Sequence, residues 1–140
     1  MRRVTSGVGL VLALALGAAA CDNQISTPTN PTTPVNMTTE SFSGSLTPNG
    51  GVTYFYNVSQ AGSITATVLS LSPDNTITVG LAIGTWNGAT CQTVIVNERA
   101  PQGATVSGNA SNAGSLCVRI YDPSGTVLAT TKFELVVVHP

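Results

Sequence analysis

The chain has 140 residues and a net charge of −1, and only 8% of its residues are charged, against about 25% in an ordinary soluble domain. Five Lys and Arg in all give no basic surface able to displace counterions, which excludes nucleic acid as a partner. The same scarcity excludes long charged helices, and 42% hydrophobic residues exclude a chain that is disordered throughout.

Arg2 and Arg3 form a positive segment ahead of thirteen residues, Val8 to Ala20, that are all Val, Leu, Ala or Gly. A bilayer takes about 20 apolar residues, so this run has the length of a signal-peptide core instead. It ends in Ala18-Ala19-Ala20-Cys21. These residues resemble the lipobox of bacterial lipoproteins, whose cysteine carries a diacylglycerol thioether and becomes the mature N-terminus. Ala18 stands where that motif prefers Leu. The resemblance implies a lipoprotein signal peptide over 1–20 and lipidation at Cys21. It also implies a place in the bacterial cell envelope, lipid-anchored to a membrane outside the cytoplasm, on its periplasmic or surface face. An ordinary secretory signal cleaved near Ala20 is the alternative, and it leaves Cys21 as a free thiol.

Residues 22–39 read DNQISTPTNPTTPVNMTT, with Asp22 as the one charge. Proline removes amide donors and biases its predecessor towards extended backbone. The few apolar groups here cannot offset the entropy of ordering. With Cys21, this stretch is expected to be a disordered or polyproline-like linker over 21–39.

Residues 40–140 show no apolar spacing of helical period and repeated alternation of period two. Phe42, Gly44 and Leu46 alternate with Ser. Val52, Tyr54, Tyr56 and Val58 alternate with Thr53, Phe55 and Asn57, and Ile64, Ala66 and Val68 with Thr. Ile77, Val79, Leu81 and Ile83 follow, then β-branched residues between Cys91 and Asn97, then Ala104 and Val106. Leu116, Val118 and Ile120 alternate with Cys117, Arg119 and Tyr121, and Val127 to His139 closes the chain. Turn residues separate these runs, as in Pro48-Asn49-Gly50-Gly51, Asn87-Gly88 and Asp122-Pro123-Ser124-Gly125. The spacing predicts an all-β fold, an antiparallel, jelly-roll-like β-sandwich of seven or eight strands. A hairpin is expected at the end of the chain, with Ile120 facing Val127 and Val118 facing Ala129. In that register Thr131, Phe133, Leu135 and Val137 turn inward, while Cys117, Arg119 and Tyr121 turn away from the core.

Three cysteines are present. Export places them in an oxidising compartment, and lipidation of Cys21 leaves Cys91 and Cys117 as an even pair. They are expected to form a structural disulfide that bridges the two sheets. Closing a loop of 26 positions stabilises by roughly 3.5 kcal/mol in the chain-entropy model. No CxxC spacing suggests redox or metal chemistry. His139, one residue from the end, reads as a solvated terminus. Glu40, Asp74, Glu98, Asp122 and Glu134 form no recognisable catalytic pair. Asp74 and Asp122 sit in turns, where backbone bonding is expected ahead of a calcium role. No catalytic residue, metal ligand or cofactor is expected.

Two aromatics remain as ligand-binding candidates. Trp86, in Gly84-Thr85-Trp86-Asn87-Gly88, either stacks on a sugar or a partner or closes one end of the sandwich. Tyr121 lies on the face away from the core.

The segment Asn112-Ala113-Gly114-Ser115-Leu116-Cys117-Val118-Arg119-Ile120-Tyr121 resembles the late strand of bacterial pre-peptidase C-terminal (PPC) domains. Thr53 to Val58, Ala61 to Val68 and Phe133 to Val137 follow that family's order. The acidic residues this family often carries are replaced here by Gly50-Gly51-Val52 and by Thr78 to Ile83. The resemblance implies an accessory domain without catalysis of its own. The expected role is therefore a non-catalytic envelope lipoprotein that binds a glycan or an envelope protein, or gives structural support. A carbohydrate-binding module, a small secreted hydrolase and an inhibitor of an envelope enzyme are the alternatives.

Overall fold

Alternation every second residue lets each segment bury one face and expose the other, which is what a two-layer β protein needs. The computed structural model describes residues 34–140. Eight strands occur there and no helix: β1 Thr38–Leu46, β2 Gly51–Val58, β3 Gly62–Ser72, β4 Val79–Trp86, β5 Cys91–Ala100, β6 Thr105–Ala110, β7 Gly114–Tyr121 and β8 Thr131–His139. The segment read as a signal peptide, the expected lipidation site Cys21 and the part of the expected linker up to residue 33 lie outside the described residues. β1 begins inside the segment read as linker, because Thr38 pairs with His139 and Thr39 with Val138.

The strands form two antiparallel sheets, ordered β1-β8-β3-β6 and β2-β7-β4-β5. This is the order of an eight-stranded jelly roll, in which nearly every connection passes from one sheet to the other. Only β4 and β5 are consecutive strands within one sheet.

That topology corrects the expected final hairpin. β7 and β8 belong to different sheets. Ile120 pairs with Val52 and Leu81, and Val118 with Tyr54 and Ile83. β8 lies between β1 and β3, and Val127 and Ala129 fall in the connection between sheets. The inward faces are nevertheless as expected. Val118, Ile120, Phe133, Leu135 and Val137 are all buried, and Arg119 is exposed.

The core lies between the layers. Tyr56, Val58, Val79, Leu81, Ile83, Val118 and Ile120 from one sheet meet Leu46, Ile64, Ala66, Val68, Phe133, Leu135 and Val137 from the other. A bulge at Leu69 resets the parity of β3, so Val68 and Leu71 both point inward while Leu69 is exposed. β5 has two irregularities, one at Val94 and one near Glu98 and Arg99. These twist an edge strand that carries no proline away from flat, open pairing. Residues 34–140 form a compact unit containing all eight strands and this core, so the unit holds what it needs to fold alone.

Two contacts fix the chain around this core. The Asp122 carboxylate accepts backbone N–H bonds from Asn49 (3.0 Å), Thr126 (3.0 Å) and Val127 (3.3 Å). The Asp122 N–H donates to the Gly50 carbonyl at 2.9 Å. Asp122 thereby ties the β1–β2 turn to the β7–β8 connection. Burial would raise its pKa, but the N–H bonds from Asn49, Thr126, Val127 and Ser124 outweigh that and hold it below the ordinary value. At the other end of the molecule, His139 is 2% exposed rather than solvated. Its Nε2 contacts Glu40 Oε1 at 3.0 Å, its Nδ1 contacts the Pro140 carbonyl oxygen at 3.1 Å, and its ring lies 5.0 Å from that of Tyr56. Ser59 N–H also donates to the Pro140 oxygen, at 3.1 Å.

Candidate functional site

The outer face of the β2-β7-β4-β5 sheet gathers every candidate that the sequence singled out within the described residues. Cys91 and Cys117 form the expected disulfide, with Cα atoms 5.8 Å apart. The bond does not bridge the two sheets. It joins β5 to β7 within one sheet, across β4, which stands between them in the strand order.

Gly84 on β4 makes that short span workable. It pairs with Cys117 on one side and Thr93 on the other. A Cβ on Gly84 would collide with the Gln92 carbonyl oxygen and stand 2.8 Å from the Thr93 Cα. The missing side chain lets the start of β5 close over β4 towards β7. Cys117 is fully buried although it lies on the side away from the core.

Phe55 and Trp86 flank the disulfide. Phe55 pairs with Cys117, and Trp86 with Cys91. Their rings stack, with centroids 5.7 Å apart and planes 16° from parallel. Trp86 therefore lies on the outer face instead of closing an end of the sandwich. Phe55 is 59% exposed and Trp86 half-buried. The turn after Trp86 is held by Asn87, whose Oδ1 accepts from the N–H groups of Ala89 (3.0 Å) and Thr90 (2.8 Å). Its Nδ2 donates to Thr90 Oγ1 at 3.0 Å. Asn87 is thus engaged in fixing the Trp86 turn.

Tyr121 shares this face at its far end. Its ring lies over Gly80, where a Cβ would come within 2.5 Å of the ring atoms. The Arg119 guanidinium sits 5.2 Å from the ring centroid. Burial and the Glu98 carboxylate raise the Tyr121 pKa, and Arg119 opposes them. Gly80 and Trp86 are six residues apart on β4, about 20 Å at strand rise. Trp86 and Tyr121 therefore share a face but not a single site.

The residue missed in the sequence is Phe55. The signal was present: the alternation that turns Tyr54 and Tyr56 inward must turn Phe55 outward. Tyr54 and Tyr56 do face the core, Tyr56 at 2% exposure.

The carboxylates stay separate in role. Glu40 contacts His139, and Asp122 serves the turn described above. Asp74 Oδ1 accepts from Thr76 N–H and Oγ1 at 2.8 and 2.6 Å, which lowers its pKa. Asp74 and Asp122 therefore act as turn residues. Among the described residues no three His, Cys, Asp or Glu side chains cluster as a metal site. Comparison of the chain with protein-family profiles and with curated proteins gives no match.

Proposed function

We propose that this chain is a non-catalytic cell-envelope lipoprotein whose β-sandwich is displayed, through a lipid at Cys21 and a Thr/Pro linker, as a binding module. Its recognition surface is the outer face of the β2-β7-β4-β5 sheet. The observation that carries this reading is the exposed Phe55–Trp86 stack, set beside a disulfide and a hydrogen-bonded turn. A rigid aromatic pair gives contact area at little entropic cost, because its side chains are already ordered before a partner arrives. The accessory role implied by the PPC resemblance agrees with it.

A photo-crosslinking residue at Thr53, an exposed neighbour of Phe55 on the same strand, tests this in intact cells. The expected result is a discrete adduct that disappears in a Phe55→Ser/Trp86→Ser variant of unchanged fold. A crosslinker at Lys132, on the outer face of the other sheet, should give none. Absence of an adduct at Thr53, or the same adduct from Lys132, refutes the assignment of the face. The exposed ring of Phe55 also suits the apolar face of a sugar. Retention on a glycan array that is lost in the same double variant would identify the partner as a carbohydrate.

A further inference from the structure

Where the edge strands β5 and β6 face each other, the two sheets part to leave a cleft of about 350 Å³. It opens on the inner side of β4, whose Gly84 and Thr85 line it, whereas the aromatic stack stands on the outer side. Tyr56, Ile64, Ile83, Ile95 and Leu116 line its inner part, and all five belong to the core or pack against it. Val94, the extra residue of the β5 bulge, stands at the cleft and is 71% exposed. Bulges commonly re-aim a side chain beside a binding site. The exposed edge of the lining is polar but uncharged, with Ser111 and Asn112 of the β6–β7 turn. Among the described residues, no Asp, Glu, Lys, Arg or His lines the cleft. Burial, with a smaller push from Glu40, raises the Tyr56 phenol to about 12, so it too is neutral.

Small-molecule sites start at about 300 Å³ and combine apolar walls with a few polar groups. A cavity of about 150 Å³ lined by aliphatic side chains already takes benzene. We infer that the cleft between β5 and β6 binds a neutral amphiphile, its aliphatic body among Ile64, Ile83, Ile95 and Leu116 and its uncharged polar head at the Ser111–Asn112 turn. A charged head would find no counter-charge in this lining and would shed part of its hydration against the Ser111–Asn112 turn, where a neutral hydroxyl can hydrogen-bond. The aliphatic residues that would hold the ligand are not those of the aromatic stack, so either assignment can fail without the other.

The test uses the 34–140 unit with its disulfide intact, in detergent-free buffer at pH 7, with methyl-resolved NMR. Titration with 1-decanol should give saturable shifts at the methyls of Ile64, Ile83, Ile95 and Leu116. Decanoate and decyltrimethylammonium should bind at least tenfold more weakly, a margin of about 1.4 kcal/mol. Gly114 lines the cleft and has none of the described residues within 4 Å of its Cβ position. Gly114→Phe should therefore fold normally and weaken 1-decanol binding at least tenfold. Ala110→Phe, on the β6 side of the cleft, is the second blocking variant. The inference is overturned if 1-decanol gives no saturable methyl shifts. Equal binding of the charged analogues, or unchanged affinity in a folded blocking variant, overturns it as well.

Discussion

Replacing Asp122 tests whether one carboxylate holds the two turns at its end of the sandwich. Its oxygens accept from Asn49, Thr126 and Val127. Bonds to a charged acceptor contribute about 1.5–3 kcal/mol each, but much of that is recovered when a freed donor meets water. Asn49 and Thr126 are exposed and rehydrate, whereas Val127 is 1% exposed and its N–H cannot do so easily. Asp122→Ala should therefore cost about 2–4 kcal/mol, most of it from the Val127 donor and the loosened β7–β8 connection. Asp122→Asn keeps one acceptor oxygen and should cost roughly half as much. The pH dependence has a definite sign. The folded pKa is lowered, so this stability is present above the unfolded carboxyl value and is lost as pH falls through the folded one. Wild type should weaken below about pH 4, and part of that slope should vanish in Asp122→Asn. Urea melts of the 34–140 unit, followed by the fluorescence of Trp86, the one tryptophan of the chain, measure both effects. A cost under about 1 kcal/mol for Asp122→Ala, or an unchanged acid slope in Asp122→Asn, refutes the reasoning.

The Cys91–Cys117 loop spans 26 positions, so reduction should lower the urea-derived stability by roughly 3.5 kcal/mol while leaving the strand signal in circular dichroism. Gly84→Ala puts a methyl against backbone atoms of Gln92 and Thr93 and should cost about 3 kcal/mol or more; Gly114→Ala, with open space around it, should be near neutral in the same melt. Tyr56 has a buried hydroxyl with no hydrogen-bond partner among the described residues, so Tyr56→Phe should be neutral or stabilising by up to about 1 kcal/mol at pH 7. Because the folded phenol sits near 12, wild type should lose stability as pH rises from about 10 towards 12, and Tyr56→Phe should flatten that loss. Metabolic labelling with an alkyne fatty acid should mark the wild-type chain and fail to mark Cys21→Ser.

The faces of the strands were legible because alternation belongs to each strand by itself. Val118 and Ile120 point inward whatever they pair with, and so do Phe133, Leu135 and Val137. Pairing is a different matter. The short turn Asp122-Pro123-Ser124-Gly125 looks like a hairpin turn, yet it leads from one sheet to the other. Locally the two outcomes need similar residues. What decides between them is that β7 already has β2 and β4 as neighbours, and β8 has β1 and β3. Those partners lie far away in sequence. The burial of His139 was hidden for the same reason: Glu40 and Tyr56, which enclose it, come from the first two strands.

The candidate face shows where residue-by-residue reading stops. Cysteine parity found the pair but not its geometry, since parity cannot tell a bond between sheets from a bond across one strand. That distinction rests on Gly84, which reads in sequence as an unremarkable small residue in a β-rich run. Its role exists only because β4 is flanked by both cysteine-bearing strands. The ladders set Cys91 beside Trp86 and Cys117 beside Phe55, so the disulfide that Gly84 allows ties together the backbone beneath both rings. The aromatic stack is then coupled through the disulfide to one missing side chain. Gly84→Ala should consequently disturb both together: a slower Cys91–Cys117 closure and a shifted Trp86 emission in the same protein. If the emission of oxidised Gly84→Ala matched wild type, the stack would owe nothing to that close approach, and the two features would have to be explained separately.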